Sequence, residues 1–182
     1  MSTIPAAEPH LPGLGPDDDL PFRIVVLRST RRRKSYAARL IGGVLRVTVP
    51  SWMSAHEERA AVAEMSARFR RKLSTERIDL RQRMRALHRD HDLPMADAIR
   101  WSDDMLGRWA SCTPSTSTIR VSTRIAAFPD WVVDYVLAHE MAHLSHGGHG
   151  PEFWAAVNVY PRTERAIGYL IAKSGGDSDG LD

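Results

Sequence analysis

The sequence has a single cysteine, Cys112, and no run of eighteen apolar residues. One cysteine excludes an internal disulfide, so the fold stands on its core alone, and a reducing, cytoplasmic setting is expected. Without a long apolar run, neither a membrane-spanning helix nor a membrane partner is expected. The first residues carry acids and prolines in place of a basic start followed by an apolar stretch, so a secretory signal is not expected. A glycine-rich phosphate loop is missing, as is a carboxylate cluster suited to magnesium. Charge of one sign does not dominate. The net charge of +3 permits an acidic partner without requiring one.

What is present fits an ordinary folded domain. The 182 residues are 43% hydrophobic and 26% charged, enough for one domain with a real core. Residues 1–20, with Asp17, Asp18 and Asp19, and residues 174–182 have no apolar period and read as disordered tails. Residues 21–173 read as a single folded domain. Phe22 to Leu27 suits a strand, and Lys34–Leu40 with Val44–Val49 suits a hairpin turning at Gly42 and Gly43. Ser54 with Glu57 forms a capping box ahead of a helical stripe of Val62, Met65, Phe69 and Leu73. Ser74 and Thr75 are expected to break that helix, and a second one runs to about His91. A β region follows, comprising 98–101, 108–112 and 118–122. Asp130 can cap a helix running through Leu144, Pro151 starts another, and Thr163–Ala172 forms the last. Strands, helices, strands, helices in that order predict an α+β fold with a small antiparallel sheet.

The decisive chemistry lies near the C-terminus. Four of the 8 histidines, His139, His143, His146 and His149, fall within eleven residues. His139, Glu140 and His143 spell H-E-x-x-H. On a helix, residues four apart share a face, so both imidazoles can reach one metal ion. Glu140 can then act on a water at the ion's open position. Catalytic zinc usually takes three protein ligands. His149 lies six residues after His143, beyond Gly147 and Gly148, whose freedom to take positive φ suits a chain reversal. That is the third-ligand spacing of H-E-x-x-H-x-x-G-x-x-H enzymes, although the glycine is displaced and no downstream methionine follows. His146 and Glu152 are the alternatives. His146 is still close to the helix and would compete with the first two ligands for direction, so His149 is favoured. Cys112 enters as a ligand only if the third histidine fails.

Arg108, Trp109, Ser111 and Cys112, then a strand, then the helix with His139, Glu140 and His143, then His149, then Phe153 and Trp154 form a longer pattern. It resembles the YgjP-like metallopeptidases, relatives of the SprT-like zincins, over about residues 22–172. Ala110 departs from the glycine usual there. The resemblance implies a zincin-like fold, Zn2+ on His139, His143 and His149, and Glu140 as general base in cleaving a peptide or protein substrate.

Two other readings stand beside this one. Family members are sometimes labelled UTP pyrophosphatases, which makes metal-dependent nucleotide pyrophosphohydrolysis the alternative activity. Arg28, Arg31, Arg32, Arg33, Lys34 and Arg39, together with ten Lys or Arg between Arg59 and Arg89, form a basic face. That face suits weak, salt-sensitive nucleic-acid contact, as in a DNA-associated protein with structural zinc. Trp109 is expected in the core or on a substrate-binding edge, and Arg108 on that edge or in a structural ion pair. Phe153 and Trp154 are expected beneath the metal site, and Cys112 as a small buried apolar group. The sequence carries no signature of a particular oligomeric state.

Overall fold

A computed structural model describes residues 21–105 and 107–174. The tails expected at 1–20 and 174–182 fall outside these residues except for Ser174. The chain separates into two compact units, Met1–Arg70 and Arg71–Asp182. The fold is α+β, with five helices and two three-stranded sheets among the described residues. None of these helices is long and apolar enough to cross a membrane.

The first unit holds β1 (Arg23–Ser29), β2 (Ala37–Ile41) and β3 (Val44–Pro50) in the order β1-β3-β2. The expected hairpin is β2–β3. Gly42 and Gly43 turn it with φ of 56° and 75°, a left-handed pair that glycine adopts without a Cβ clash. Period-2 alternation buries Leu45, Val47 and Val49 and turns Arg46 outward, directly across from Arg39. Arg31, Arg32, Arg33 and Lys34 lie in the connection from β1 to β2.

Ser54 and Glu57 make the expected capping box. The Ser54 N–H donates to Glu57 Oε2 at 2.9 Å, and the Glu57 N–H to Ser54 Oγ at 3.3 Å. The helix they open, α1 (Ala55–Arg77), spans the boundary between the units. It is not broken at Ser74 and Thr75. The Thr75 hydroxyl bonds back to the Lys72 carbonyl at 2.7 Å, which satisfies it inside the helix. The break comes at Ile78 and Asp79. Asp79 caps α2 (Leu80–His91) by accepting from the Gln82 N–H at 2.9 Å.

The second unit continues with β4 (Ala98–Ser102), β5 (Ala110–Thr113), β6 (Thr118–Ser122), α3 (Asp130–Ala142), α4 (Pro151–Val157) and α5 (Thr163–Lys173). Ser174 ends α5, its N–H donating to Leu170 at 2.9 Å. The sheet order is β4-β6-β5. The expected antiparallel pairing holds for β5 with β6, while β4 runs parallel to β6, so the sheet is mixed. The single alternating strand β6 buries Ile119 and Val121 and leaves β5 as an edge.

Helix α3 is the centre of this unit. It packs against α2, α4, α5 and β5, and every residue from Tyr135 to Ala142 is buried. Its sequence is apolar on nearly all sides, as a helix enclosed by neighbours requires. Asp130 is its first residue and not its cap. Arg83 of α2 instead holds Asp130 at 2.8 Å and, one turn on, Asp134 at 2.7 Å. That two-toothed pairing sets the position of α3 along α2.

Truncating the core strand tests which apolar residues carry the second unit. Ile119→Ala, at a fully buried site, should cost about 2–5 kcal/mol in urea unfolding, whereas Ile171→Ala, at an exposed one, should stay within about 0.5 kcal/mol. Equal losses would mean that burial does not set the cost.

Candidate metal centre

The last turn of α3 carries His139 and Glu140, and His143 is its C-cap residue, with its N–H donating to His139 at 3.3 Å. Tight turns follow, in which the Leu144 N–H donates to Met141 and the Ser145 and His146 N–H groups to Ala142. The chain then returns to α4 with His149 just before it. Neither Gly147 nor Gly148 takes the left-handed backbone expected of them, and a Cβ at either would meet open space. The reversal is made by the hydrogen-bonded turns, so glycine is not sterically demanded there.

The three histidines converge. His139 Nε2 lies 3.2 Å from His143 Nε2 and 3.3 Å from His149 Nε2. Among the described residues they form the one group of three or more potential metal ligands, with ligand atoms within 4.8 Å of one another. His146 stands outside that group but serves it, because its backbone carbonyl sits 3.1 Å from His143 Nδ1. A proton held there leaves His143 Nε2 with a lone pair aimed at the point of convergence. Glu152 lies in the first turn of α4, exposed to solvent and likewise outside the group.

Burial tunes these groups toward metal binding. His139 is only 4% exposed, and desolvation followed by the nearby His143 and His149 pushes its pKa down to about 3. Burial, more than any neighbour, also lowers His143. Neutral imidazoles whose nitrogens crowd together repel by their lone pairs, and a cation among them relieves that. The donor set therefore fits a divalent ion that accepts nitrogen. Phe153 forms the floor. Its ring stacks on His143 at 4.4 Å and meets His139 and His149 edge-on at 4.9 and 4.6 Å. Trp154 borders His149 at 5.9 Å. Both aromatics lie where the sequence pattern predicts, and Phe153 fixes all three ring planes.

Glu140 opens onto the same cleft. The cavity of about 190 Å³ is lined by Arg108, Ser111, Cys112, Glu140, His143 and His149, with Ala110, Pro114 and Gly147 completing its walls. Burial pushes the Glu140 carboxyl up to about 8, opposed by the Arg108 guanidinium and by a hydrogen bond from the Cys112 backbone N–H. Cys112 is half-buried at the cleft wall, not enclosed as expected, and burial beside Glu140 raises its thiol to about 11. That thiol is protonated at neutral pH and a poor nucleophile. Trp109 is in the core at 4% exposure, with Arg124 over its ring at 4.3 Å. Ala110 sits within β5 as ordinary extended chain paired with Val121.

The edge of β5 has a defined polarity. The Ser122 N–H donates to the Trp109 carbonyl at 2.8 Å. Continuing the antiparallel alternation, Ser111 and Thr113 pair with β6, and Ala110 and Cys112 turn their backbone groups outward. The Cys112 N–H meets Glu140 on that outer edge.

The raised Glu140 pKa has a measurable consequence for the metal-free chain. A carboxyl whose folded pKa exceeds its unfolded value costs stability as pH rises from about 4.5 toward 8. His139, depressed in the fold, costs stability as pH falls below about 6.5, equally in a chain altered only at position 140. Metal-free Glu140→Gln should therefore gain on metal-free wild type between pH 5 and pH 8, on the order of a few kcal/mol, in melts after chelation. A pH-independent difference would mean that burial does not control this carboxyl.

The family comparison covers the residues of this site. Residues 56–170, more than half of the chain, match the family model described as YgjP-like, metallopeptidase domain. No curated protein matches. Among solved structures, the metallopeptidase zymogen abylysin of Pyrococcus abyssi is similar at 18% identity and a TM-score of 0.45, over 50% of this chain and 91% of that one. The extent of the family match, over a stretch that contains all three converging histidines, means that the chain belongs to the YgjP-like family and carries its metallopeptidase domain.

Proposed function

We propose that the protein is a zinc-dependent peptidase in which His139, His143 and His149 hold the ion and Glu140 is the general base. The observation that carries this reading is the convergence of three imidazoles beside a buried carboxyl in one cleft. A zinc ion bound there would polarise a substrate carbonyl and acidify a water. Three nitrogen donors leave a fourth position open to the cleft, as hydrolytic sites require.

The protein's own groups do the rest. Glu140 Oε takes a proton from the attacking water and returns it to the leaving amine, so the carboxyl alternates between its two protonation states. Arg108 and the Cys112 N–H favour its charged form at rest. An extended peptide suits the outer edge of β5, where the Ala110 N–H and C=O and the Cys112 C=O are the backbone groups turned away from β6. Strand addition orients the scissile bond by main-chain contacts, which is compatible with varied side chains. His146 and Phe153 are positioning residues that hold the imidazole rings.

Metal analysis and peptide turnover test the reading together. Wild-type protein supplied with zinc should hold about one ion per chain and release peptides, and chelation should end both. Glu140→Gln should keep the ion and lose about 10²- to 10⁴-fold in turnover. His149→Ala should lose the ion, whereas His146→Ala, which keeps the backbone carbonyl, should retain it. Full activity of a zinc-replete Glu140→Gln chain would sink the role given to that carboxylate, and the reverse pattern at the two histidines would reassign the third ligand.

A further inference from the structure

Among the described residues, Arg108 is the one lysine or arginine that lines the cleft. Several other arginines of its unit are engaged. Arg83 holds Asp130 and Asp134, and Arg120 holds Asp104 at 2.7 Å and the Ser102 hydroxyl at 2.9 Å. Arg108 has neither a hydrogen bond nor an ion pair among the described residues, and it is exposed at the mouth of the cavity. Its backbone is nevertheless well placed. Trp109, the next residue, is buried and bonded through its carbonyl to β6, so Arg108 lies one residue before a held position of the chain. A cation held beside a site for chain cleavage, whose charge acts on Glu140 but whose N–H groups donate to no described residue, is arranged to meet an anion that arrives with the substrate.

We propose that Arg108 binds a substrate carboxylate, and that the peptides cleaved here carry an acidic group next to the scissile bond. This rests on the peptidase reading above. The planar guanidinium fork matches a carboxylate in two parallel hydrogen bonds. The Ser111 hydroxyl, on the same wall, offers a further donor. A cavity of about 190 Å³ is smaller than the roughly 300–1,000 Å³ usual for small-molecule pockets, so it suits one residue of a peptide better than a whole nucleoside triphosphate. The carboxylate comes either from the end of the chain, which makes the activity a carboxypeptidase, or from an aspartate or glutamate side chain within it.

The test uses the full chain carrying Glu140→Gln, supplied with zinc, so that peptides bind without turnover. Fluorescent hexapeptides of one mixed neutral sequence are compared by anisotropy in three forms: free C-terminal acid, C-terminal amide, and amide with one glutamate moved through the six positions. One acidic form should bind roughly 10- to 100-fold tighter than the neutral amide, in keeping with a charge-assisted bidentate pair. The free acid prevailing identifies the chain end as the source, and a single glutamate position prevailing identifies a side chain. Added Arg108→Gln should erase the preference while leaving zinc content and melting temperature unchanged. Arg108→Lys should restore part of it, since charge is kept but the fork is lost. In turnover by the otherwise wild-type chain, Arg108→Gln should raise KM for the acidic peptide by a larger factor than for the neutral amide. The proposal is overturned if no acidic form binds better than the amide, if the preference survives Arg108→Gln, or if UTP displaces the peptide through Arg108 more effectively than any carboxylate. Absence of turnover in wild-type protein, with the Arg108-dependent preference intact, would count against the peptidase reading alone.

Discussion

The enclosure of α3 is the constraint on which the site depends. A helix packed against α2, α4, α5 and β5 buries every residue from Tyr135 to Ala142, so His139 and Glu140 enter the core with it. Burying an ionisable group costs its charged form, and the two residues answer in opposite senses. The imidazole becomes a neutral electron-pair donor, and the carboxyl becomes a stronger base. Both changes suit metal-assisted hydrolysis, and both follow from one packing decision. A surface helix with the same H-E-x-x-H would display the ligands without tuning them.

The remaining parts locate that tuned pair. Arg83 pins the start of α3 through two carboxylates one turn apart, and Phe153 pins its end by touching all three imidazoles. The mixed sheet presents β5 as an edge, and the hydrogen bond from the Cys112 N–H ties that edge to Glu140. The proposed base and the proposed substrate-binding edge are thus joined by a main-chain contact. Cys112 and Ala110 contribute through backbone more than through side chain, which explains why a methyl group at Ala110 fits without disturbing the strand.

Much of this was legible in the residues because it is local. The i, i+4 spacing of His139 and His143, the Ser54–Glu57 box and the Gly42–Gly43 hairpin are each written within a few positions of sequence. His149 was legible through its spacing. What was not legible depends on partners distant in the chain. The parallel run of β4 beside β6 is set by crossover connections, and the pairing of Arg83 with Asp130 and Asp134 joins α2 to α3. The lining of the cleft by Arg108 and Cys112 needed the register of β5 against α3. Two local inferences failed for a shared reason: residues that permit a feature do not impose it. Ser74 and Thr75 permit a helix break, and Gly147 and Gly148 permit left-handed backbone, yet hydrogen bonds available nearby decided otherwise.

The three imidazoles are unequally moored. His139 and His143 belong to the end of a buried helix, so their spacing is settled when the core folds. His149 rides on the segment after it, where Gly147, Gly148 and Gly150 all border open space. The entropy of closing the triad therefore falls almost wholly on that short loop, and a loop so short adds little to the cost. An ion held by all three would clasp that loop to the end of the helix. Its hold would join a segment fixed by its own turns to one fixed by the core.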